Sequence, residues 1–374
     1  NVRNPLIKIE NGKVTAANID IMGLTETEED LNSMKKLYTK LLDDPLALSY
    51  FKIRGISVMT GNSDSGKTAG KIGSRVLISE GLRELYDLAA SRGVKLHVKR
   101  GPGPKADRGG NLEDGLIGAQ LPDNMLAKAQ QHFTIQAQQP LHWANSPARG
   151  MHALTSLFTG ILKGSVNARQ RIERGGMTRD ERIAHDAFLF VSFAASGGFK
   201  EFLTANKQGL DAFSTSRPDN PLASSRKAVR GKSIKKGWEA TRAVPAEHGF
   251  AFMHAPYTDV GLREGIEALA RGDKITFQLN GEEKTLDGGM LVKELKRMEA
   301  ASNQRLRGGK PLTAVAEFPV EPTAPEKVVH LLSRFSPGFD AIIRTTEVEM
   351  RELHDPTMAK FIAGKMGIPE VAAN

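Results

Sequence analysis

The sequence predicts an α/β protein: a first part built of βα units over residues 1–145, and a mainly helical part over 146–374. Two observations carry this. Across the first part, short apolar runs of strand length alternate with longer runs of helical period, as when strands feed helices that pack back on a parallel sheet. Beyond residue 145 the strand-like runs thin out and apolar residues recur at helical spacing. A third observation concerns chemistry. The unusual residues gather at the ends of three consecutive strand-like runs, where parallel sheets place their sites.

In chain order, Ala17 to Leu24 reads as a strand and Glu28 to Leu42 as an amphipathic helix that Thr25 or Thr27 can cap. Ile56 to Thr60 is a second strand. Thr68 to Arg92 is a helix with leucines at 77, 82, 85 and 88, stopped at Gly93. Val94 to Val98 is a third strand, running into a basic Gly/Pro-rich loop from Arg100 to Gly110, and His132 to Gln136 is a candidate fourth. Ala148 to Asn206 reads as mostly helical, followed by a polar, basic loop from Ser214 that reaches Pro245. Lys274 to Leu286 alternates Ile275, Phe277 and Leu279 around an Asn280-Gly281 turn, a β-hairpin signal. Met290 to Arg305 is helical, Ala314 to Val320 strand-like, and the end helical again.

Composition narrows the function. The chain of 374 residues has 40% hydrophobic and 25% charged residues, as expected of a globular protein. The best apolar run, Ala187 to Ala195, is interrupted by Ser192 and falls short of the roughly 18 residues of a membrane span. No secretory signal pattern is present, and the absence of cysteine excludes disulfides and thiolate sites and fits a cytoplasmic enzyme. The first residue is Asn1 rather than Met, so a processed, trimmed or partial chain is expected. A net charge of +9 needs a cause. Nucleic acid is disfavoured, because aromatics are only 6% and the densest basic stretch, Arg226 to Arg242, holds a single Trp238. A basic surface around a small-anion site accounts for it better.

Residues 61–68, Gly-Asn-Ser-Asp-Ser-Gly-Lys-Thr, carry two incompatible readings. The spelling satisfies the P-loop pattern, with a strand before it and Lys67 reaching a nucleotide phosphate. That reading lacks partners. No downstream strand ends in a carboxylate, the third ends in basic Lys99-Arg100, and Asp64 would face the phosphate.

The second reading draws in the rest of the chain. Ser63-Asp64-Ser65-Gly66-Lys67 with Ala69-Gly70 resembles the SDSGK element of the phosphoenolpyruvate carboxylase family. Upstream, Ile19 to Leu31 is similar to the family's "VPLFETxDDL". Downstream, Leu157-Phe158-Thr159-Gly160 is similar to "LYTG", Ser216-Arg217-Pro218 to "SRP", Arg242-Ala243-Val244-Pro245 to "RAIP", and Met350 to Pro356 to "LRNxYxDP". These stand in family order. The resemblance implies a partial or reduced (β/α) barrel followed by the helical part, and a lyase that adds bicarbonate to phosphoenolpyruvate to give oxaloacetate and phosphate. It makes Glu26 and Asp64 ligands of Mg²⁺ or Mn²⁺, the ion that would stabilise the pyruvate enolate. Lys67, Arg100, Arg108 and Arg242 become catalytic cations. Lys67, Lys105, Arg108, Gly109, Gly110, Arg217 and Arg242 become substrate contacts, the arginines suited to bidentate phosphate binding.

Each residue also has a plainer reading: Glu26 as a first-turn helix acid, Arg217 as a turn residue before Pro218, and His142, His248 and His254 as structural or surface histidines. The sequence departs from the family in its glycine-rich loop. Aligned without a gap from Lys67, Arg108-Gly109-Gly110 falls on the second "GRGG", Pro102 takes the place of its first arginine, and Asp107 that of a glycine. The family's N-terminal half, with its catalytic histidine, has no counterpart here. A second chain or a homo-oligomer is therefore expected to complete the barrel, since an incomplete one exposes strand edges. A diverged lyase on another phosphorylated or carboxylated substrate, and a non-catalytic subunit, stand as alternatives.

Overall fold

The computed structural model describes residues 5–100, 162, 164–205, 262–306 and 322–340, and they form one continuous core around a small parallel sheet. The chain opens with a hairpin, β1 (Ile7–Glu10) and β2 (Lys13–Ala17). Its turn is Asn11-Gly12, both at positive φ (50° and 72°), the conformation such turns require. Next come β3 (Met22–Thr25), helices α1 (Glu28–Asp43) and α2 (Pro45–Arg54), β4 (Ile56–Thr60), helix α3 (Asn62–Ser91) and β5 (Leu96–Arg100). The sheet order is β3-β4-β5, all parallel.

The strand expected over Ala17 to Leu24 is thus divided. Ala17 closes β2 and Met22 starts β3. Between them the Tyr50 hydroxyl donates to the Ile19 carbonyl (2.9 Å) and accepts from the Ile21 amide (2.8 Å), so a side chain takes bonds a ladder would have made. The third strand also starts two residues later than expected. Gly93, at φ 65°, ends α3 with its N–H on Ala90 O, and the Val94 amide is used on Ala89 O (2.9 Å), a Schellman closure.

The sheet is asymmetric. β4, its central strand, is buried along nearly its whole length, as a parallel strand covered on both faces must be. One face packs on α1, whose Tyr38 hydroxyl lies so close to Gly23 that a Cβ there would sit 2.3 Å from it. On the other face, at β3, Met22 and Leu24 are 40% and 54% exposed. Among the described residues β3 pairs with β4 alone.

The helical part is organised by α5 (Arg179–Ala205), preceded by α4 (164–173). The stretch Ala187 to Ser192 is buried all round, which explains an apolar run too short for a membrane; no described helix is long and apolar enough to cross one. α5 packs on α3 and on the later elements: α6 (262–271), hairpin β6 (Lys274–Leu279) and β7 (Glu282–Asp287), α7 (Gly288–Leu306) and α8 (Pro325–Phe335). The hairpin is the expected one, with Asn280 and Gly281 at φ 56° and 80°. Phe277 on it stacks on Phe193 of α5, rings 4.0 Å apart. The expected strands 132–136 and 314–320, helical residues 148–161 and 341–374, the basic loops beyond Arg100 and over 214–245, and His142, His248 and His254 lie outside the described residues.

The α3–α5 interface holds a buried carboxyl from α3 and a partly exposed imidazole from α5. Glu80 Oε1 accepts from Arg83 (2.7 Å) and lies 3.4 Å from His185 Nε2. Burial raises the Glu80 carboxyl, against the pull of Arg83. Burial, helped by Arg83, Lys284 and Arg171 and opposed by Asp186, lowers His185 to about 4, so the ring is neutral near pH 7. The unfolded chain therefore takes up a proton on this histidine between pH 6.5 and 4 that the fold refuses, and stability is lost as pH falls through that window. Relative to His185→Gln, the wild type is expected to lose on the order of 3 kcal/mol between pH 6.5 and 4. Urea denaturation at several pH values reads this directly, and parallel curves for the two proteins would refute it.

Candidate active site at the strand ends

Register brings the three strand ends together. Thr25 pairs with Thr60, and Thr60 with Arg100, so these residues form one row across the sheet. Glu26, Gly61 and the chain leaving Arg100 therefore emerge from a single edge. The three strand ends lie side by side in the backbone.

The corner after β3 is rigid. The Thr27 hydroxyl accepts from the Asp30 amide (3.0 Å), and the Asp30 carboxylate accepts from the amides of Thr27 (3.0 Å) and Glu26 (3.3 Å). This is a capping box that starts α1 at Glu28, with Thr27 rather than Thr25 as the cap. Partial burial pushes the Asp30 carboxyl up, but bonds from Thr27 and Glu26 outweigh it and hold it below its ordinary value. Glu26, its backbone fixed, lays its half-buried side chain over Gly61. A Cβ at Gly61 would sit 2.9 Å from Glu26 Oε1 and 3.0 Å from its Cγ. The two corners are tied as well: the Gly61 amide donates to Thr25 O (3.0 Å), and the Thr25 hydroxyl to Met59 O (3.2 Å).

After β4 the chain turns directly into α3 at Asn62, six residues before the expected start. Gly61 is the cap, and no loop separates strand from helix. A P-loop needs such a loop, whose amides curl around phosphate; here residues 62–66 are already helical. The helix breaks once, at Gly70 (φ 70°, ψ 172°), a conformation open in practice to glycine alone. Asp64 and Lys67 thus belong to a short helical segment between the strand end and the kink. The Ser65 hydroxyl anchors that segment to Gly61 O (3.2 Å) and bonds across the kink to Ser74.

Of the predicted site residues, the structure brings Glu26, Asp64, Lys67 and Arg100 to one sheet edge by their backbones. Among these four, the Glu26 side chain is described. Lys105, Arg108, Gly109, Gly110, Arg217 and Arg242 lie outside the described residues. Sequence reading missed a neighbour. Lys200, near the end of α5, pairs with Glu28 Oε1 at 2.8 Å across 172 residues of sequence, a separation at which no local pattern could have signalled it.

A family model described as phosphoenolpyruvate carboxylase matches residues 6–256, about two thirds of the chain. The chain belongs to the phosphoenolpyruvate carboxylase family. Relatives bearing that name include one from Xanthomonas oryzae pv. oryzae, 38% identical over 270 residues (68% of this chain, 29% of the relative). One from Corynebacterium glutamicum is 25% identical over 255 residues (65% and 27%), and one from Thermus thermophilus 33% over 110 residues (29% and 13%). The chain spans less than a third of the length of these relatives. The segment matched to phosphoenolpyruvate carboxylase holds every predicted site residue; Met350 to Pro356 lies beyond it and outside the described residues.

Gly61 gives a direct test of the Glu26 geometry. Gly61→Ala forces the Glu26 side chain aside; the Gly61 backbone (φ −111°, ψ 127°) is open to alanine, and the cost in stability is about 1 kcal/mol because alanine is a poorer helix cap than glycine. The expected outcome is a melting temperature within a few degrees of wild type and Mn²⁺ affinity reduced about tenfold, read by titration followed with electron paramagnetic resonance. Unchanged affinity would overturn the role of metal ligand that the family resemblance implies for Glu26.

Proposed function

We propose that this chain carries the metal- and anion-binding part of a phosphoenolpyruvate carboxylase site and takes part in the carboxylation of phosphoenolpyruvate by bicarbonate to oxaloacetate and phosphate. The observation that carries this is the row Thr25, Thr60, Arg100 across a parallel sheet, which brings Glu26, the start of the helix bearing Asp64 and Lys67, and Arg100 to one edge. Glu26 and Asp64 would hold Mg²⁺ or Mn²⁺. Two hard carboxylates on adjacent strand ends suit such an ion, and the Glu26 carboxyl already lies over the start of the helix bearing Asp64. When bound, the ion supplies positive charge that stabilises the enolate developing as phosphate departs.

The chain's own groups would do the rest. Lys67, at the second strand end, would bind and orient the bicarbonate carboxylate, with Arg100 and Lys105 compensating for the family arginine replaced by Pro102. Arg108, with the Gly109 and Gly110 amides, would hold the anion made from bicarbonate. Arg217 and Arg242 would neutralise phosphate. In this reading residues 1–145 form the catalytic βα part of a (β/α) barrel and residues 146–374 the helical part.

A second observation favours a shared site. β3 leaves Met22 and Leu24 exposed on a face that parallel sheets keep covered, and the matched region makes up 29% and 27% of the length of two relatives. Further polypeptide, from a second chain or a second copy, would cover that face and complete the barrel and the activity.

Both readings meet in one experiment. With phosphoenolpyruvate and Mn²⁺, the chain is expected to make oxaloacetate and phosphate in equal amounts only when bicarbonate is present, and Asp64→Asn to lower that rate by at least about 100-fold. A chain that binds Mn²⁺ through Asp64 without turnover would assign the activity to the larger assembly. A chain that binds no Mn²⁺ would overturn both.

A further inference from the structure

Helix α5 reaches the site with two consecutive residues, and each grips a different corner of it. Phe199 is buried (3% exposed) and its ring covers Gly70: a Cβ there would lie 3.4–3.5 Å from three atoms of Phe199. Gly70 is the break that sets the direction of the short helical segment holding Asp64 and Lys67. Lys200 pairs with Glu28 at 2.8 Å. Glu28 is the first residue of α1, directly after the capping residue Thr27 and two residues after Glu26. One turn earlier on α5, Ser196 packs on Gly73, where a Cβ would sit 3.0 Å from the Ser196 Cβ, so this end of the helix meets α3 at the kink and just beyond it.

We propose that Phe199 and Lys200 are positioning residues of the metal site, holding the Glu26 corner and the Asp64–Lys67 corner in one fixed geometry. The proposal rests on the metal-site reading above. Its physical basis is that α5 touches both corners, Lys200 at the start of α1 and Phe199 at the Gly70 kink, so its placement bears on their separation. Each corner also has its own local bonds: the capping box after β3, and the Ser65 hydroxyl on Gly61 O. A bound ion shared by two corners is sensitive to small changes in their separation, because coordination distances tolerate a few tenths of an ångström. An exposed ion pair such as Lys200–Glu28 adds little to global stability, so its loss should register at the site rather than in the melting of the fold. This makes α5 the element through which the helical part bears on the chemistry at the sheet edge.

Mn²⁺ titration of the 374-residue chain by electron paramagnetic resonance, with melting followed by circular dichroism, tests the idea. Lys200→Glu is expected to weaken Mn²⁺ binding about fivefold and broaden the bound-ion signal at unchanged melting temperature, with Lys200→Arg restoring both. Phe199→Ala is expected to weaken binding about tenfold or more, and Phe199→Leu to recover most of it by refilling the space over Gly70. Asp64→Asn, measured alongside, separates the two levels of argument. If Asp64→Asn abolishes binding while Lys200→Glu and Phe199→Leu both bind with wild-type affinity and signal, and Phe199→Ala, where folded, does too, the positioning role is overturned and the site stands. If Asp64→Asn leaves binding unchanged, or the wild type binds no Mn²⁺, the metal site falls and the positioning role with it.

Discussion

The close contact of α3 with α5 is the constraint on which the other described elements depend. Small residues make it possible. Gly73 lets Ser196 approach to a distance at which even a methyl group would crowd it, and Gly70 admits the ring of Phe199. From this contact α3 carries the sheet and α1, while α5 carries α7, α8 and the hairpin. Hydrophobic burial supplies the gain: Ala187 to Ser192 and the α3 residues Ile72, Val76 and Leu77 are all nearly solvent-free. The same closeness explains the neutral His185: desolvation first, then Arg83 and Lys284, disfavour its charged form and outweigh Asp186.

Ion pairs trace the same frame but contribute less to it. Lys35 with Glu84 and Arg92 with Asp43 tie α1 to α3; Arg297 with Asp180 and Arg179 with Glu294 tie α5 to α7. Most are at least partly exposed and therefore worth at most about 1 kcal/mol each. Their use is to fix orientation between helices already held by apolar packing. Lys200–Glu28 belongs to this set in energy but stands apart in place, because it lies at the corner that presents Glu26.

Membership of the phosphoenolpyruvate carboxylase family and the geometry of the sheet edge point the same way. A parallel sheet concentrates its strand ends, and two of the three here start well-capped or tightly turned helices. That is how short, polar motifs scattered over 75 residues of sequence, from Glu26 to Arg100, come to share one edge. The exposed Met22 and Leu24 on the far face fit a chain that spans under a third of its relatives.

Sequence alone determined a good deal. Periodicity located α1, β4 and α7 within a residue or two, and the Asn280-Gly281 turn fixed the hairpin, because these signals are local and strong. The motif order led to the family, and the strand ends led to the candidate site. The rest was decided by tertiary contacts. The Tyr50 hydroxyl, 29 residues from the Ile21 amide it bonds, cut one expected strand into two. Residues 62–67, ahead of the expected helix start, are helical up to the Gly70 break, with the Ser65 hydroxyl on Gly61 O at the turn from the strand. The pairing of Lys200 with Glu28 joins residues 172 apart in sequence, and only the packing of α5 on α3 brings them together.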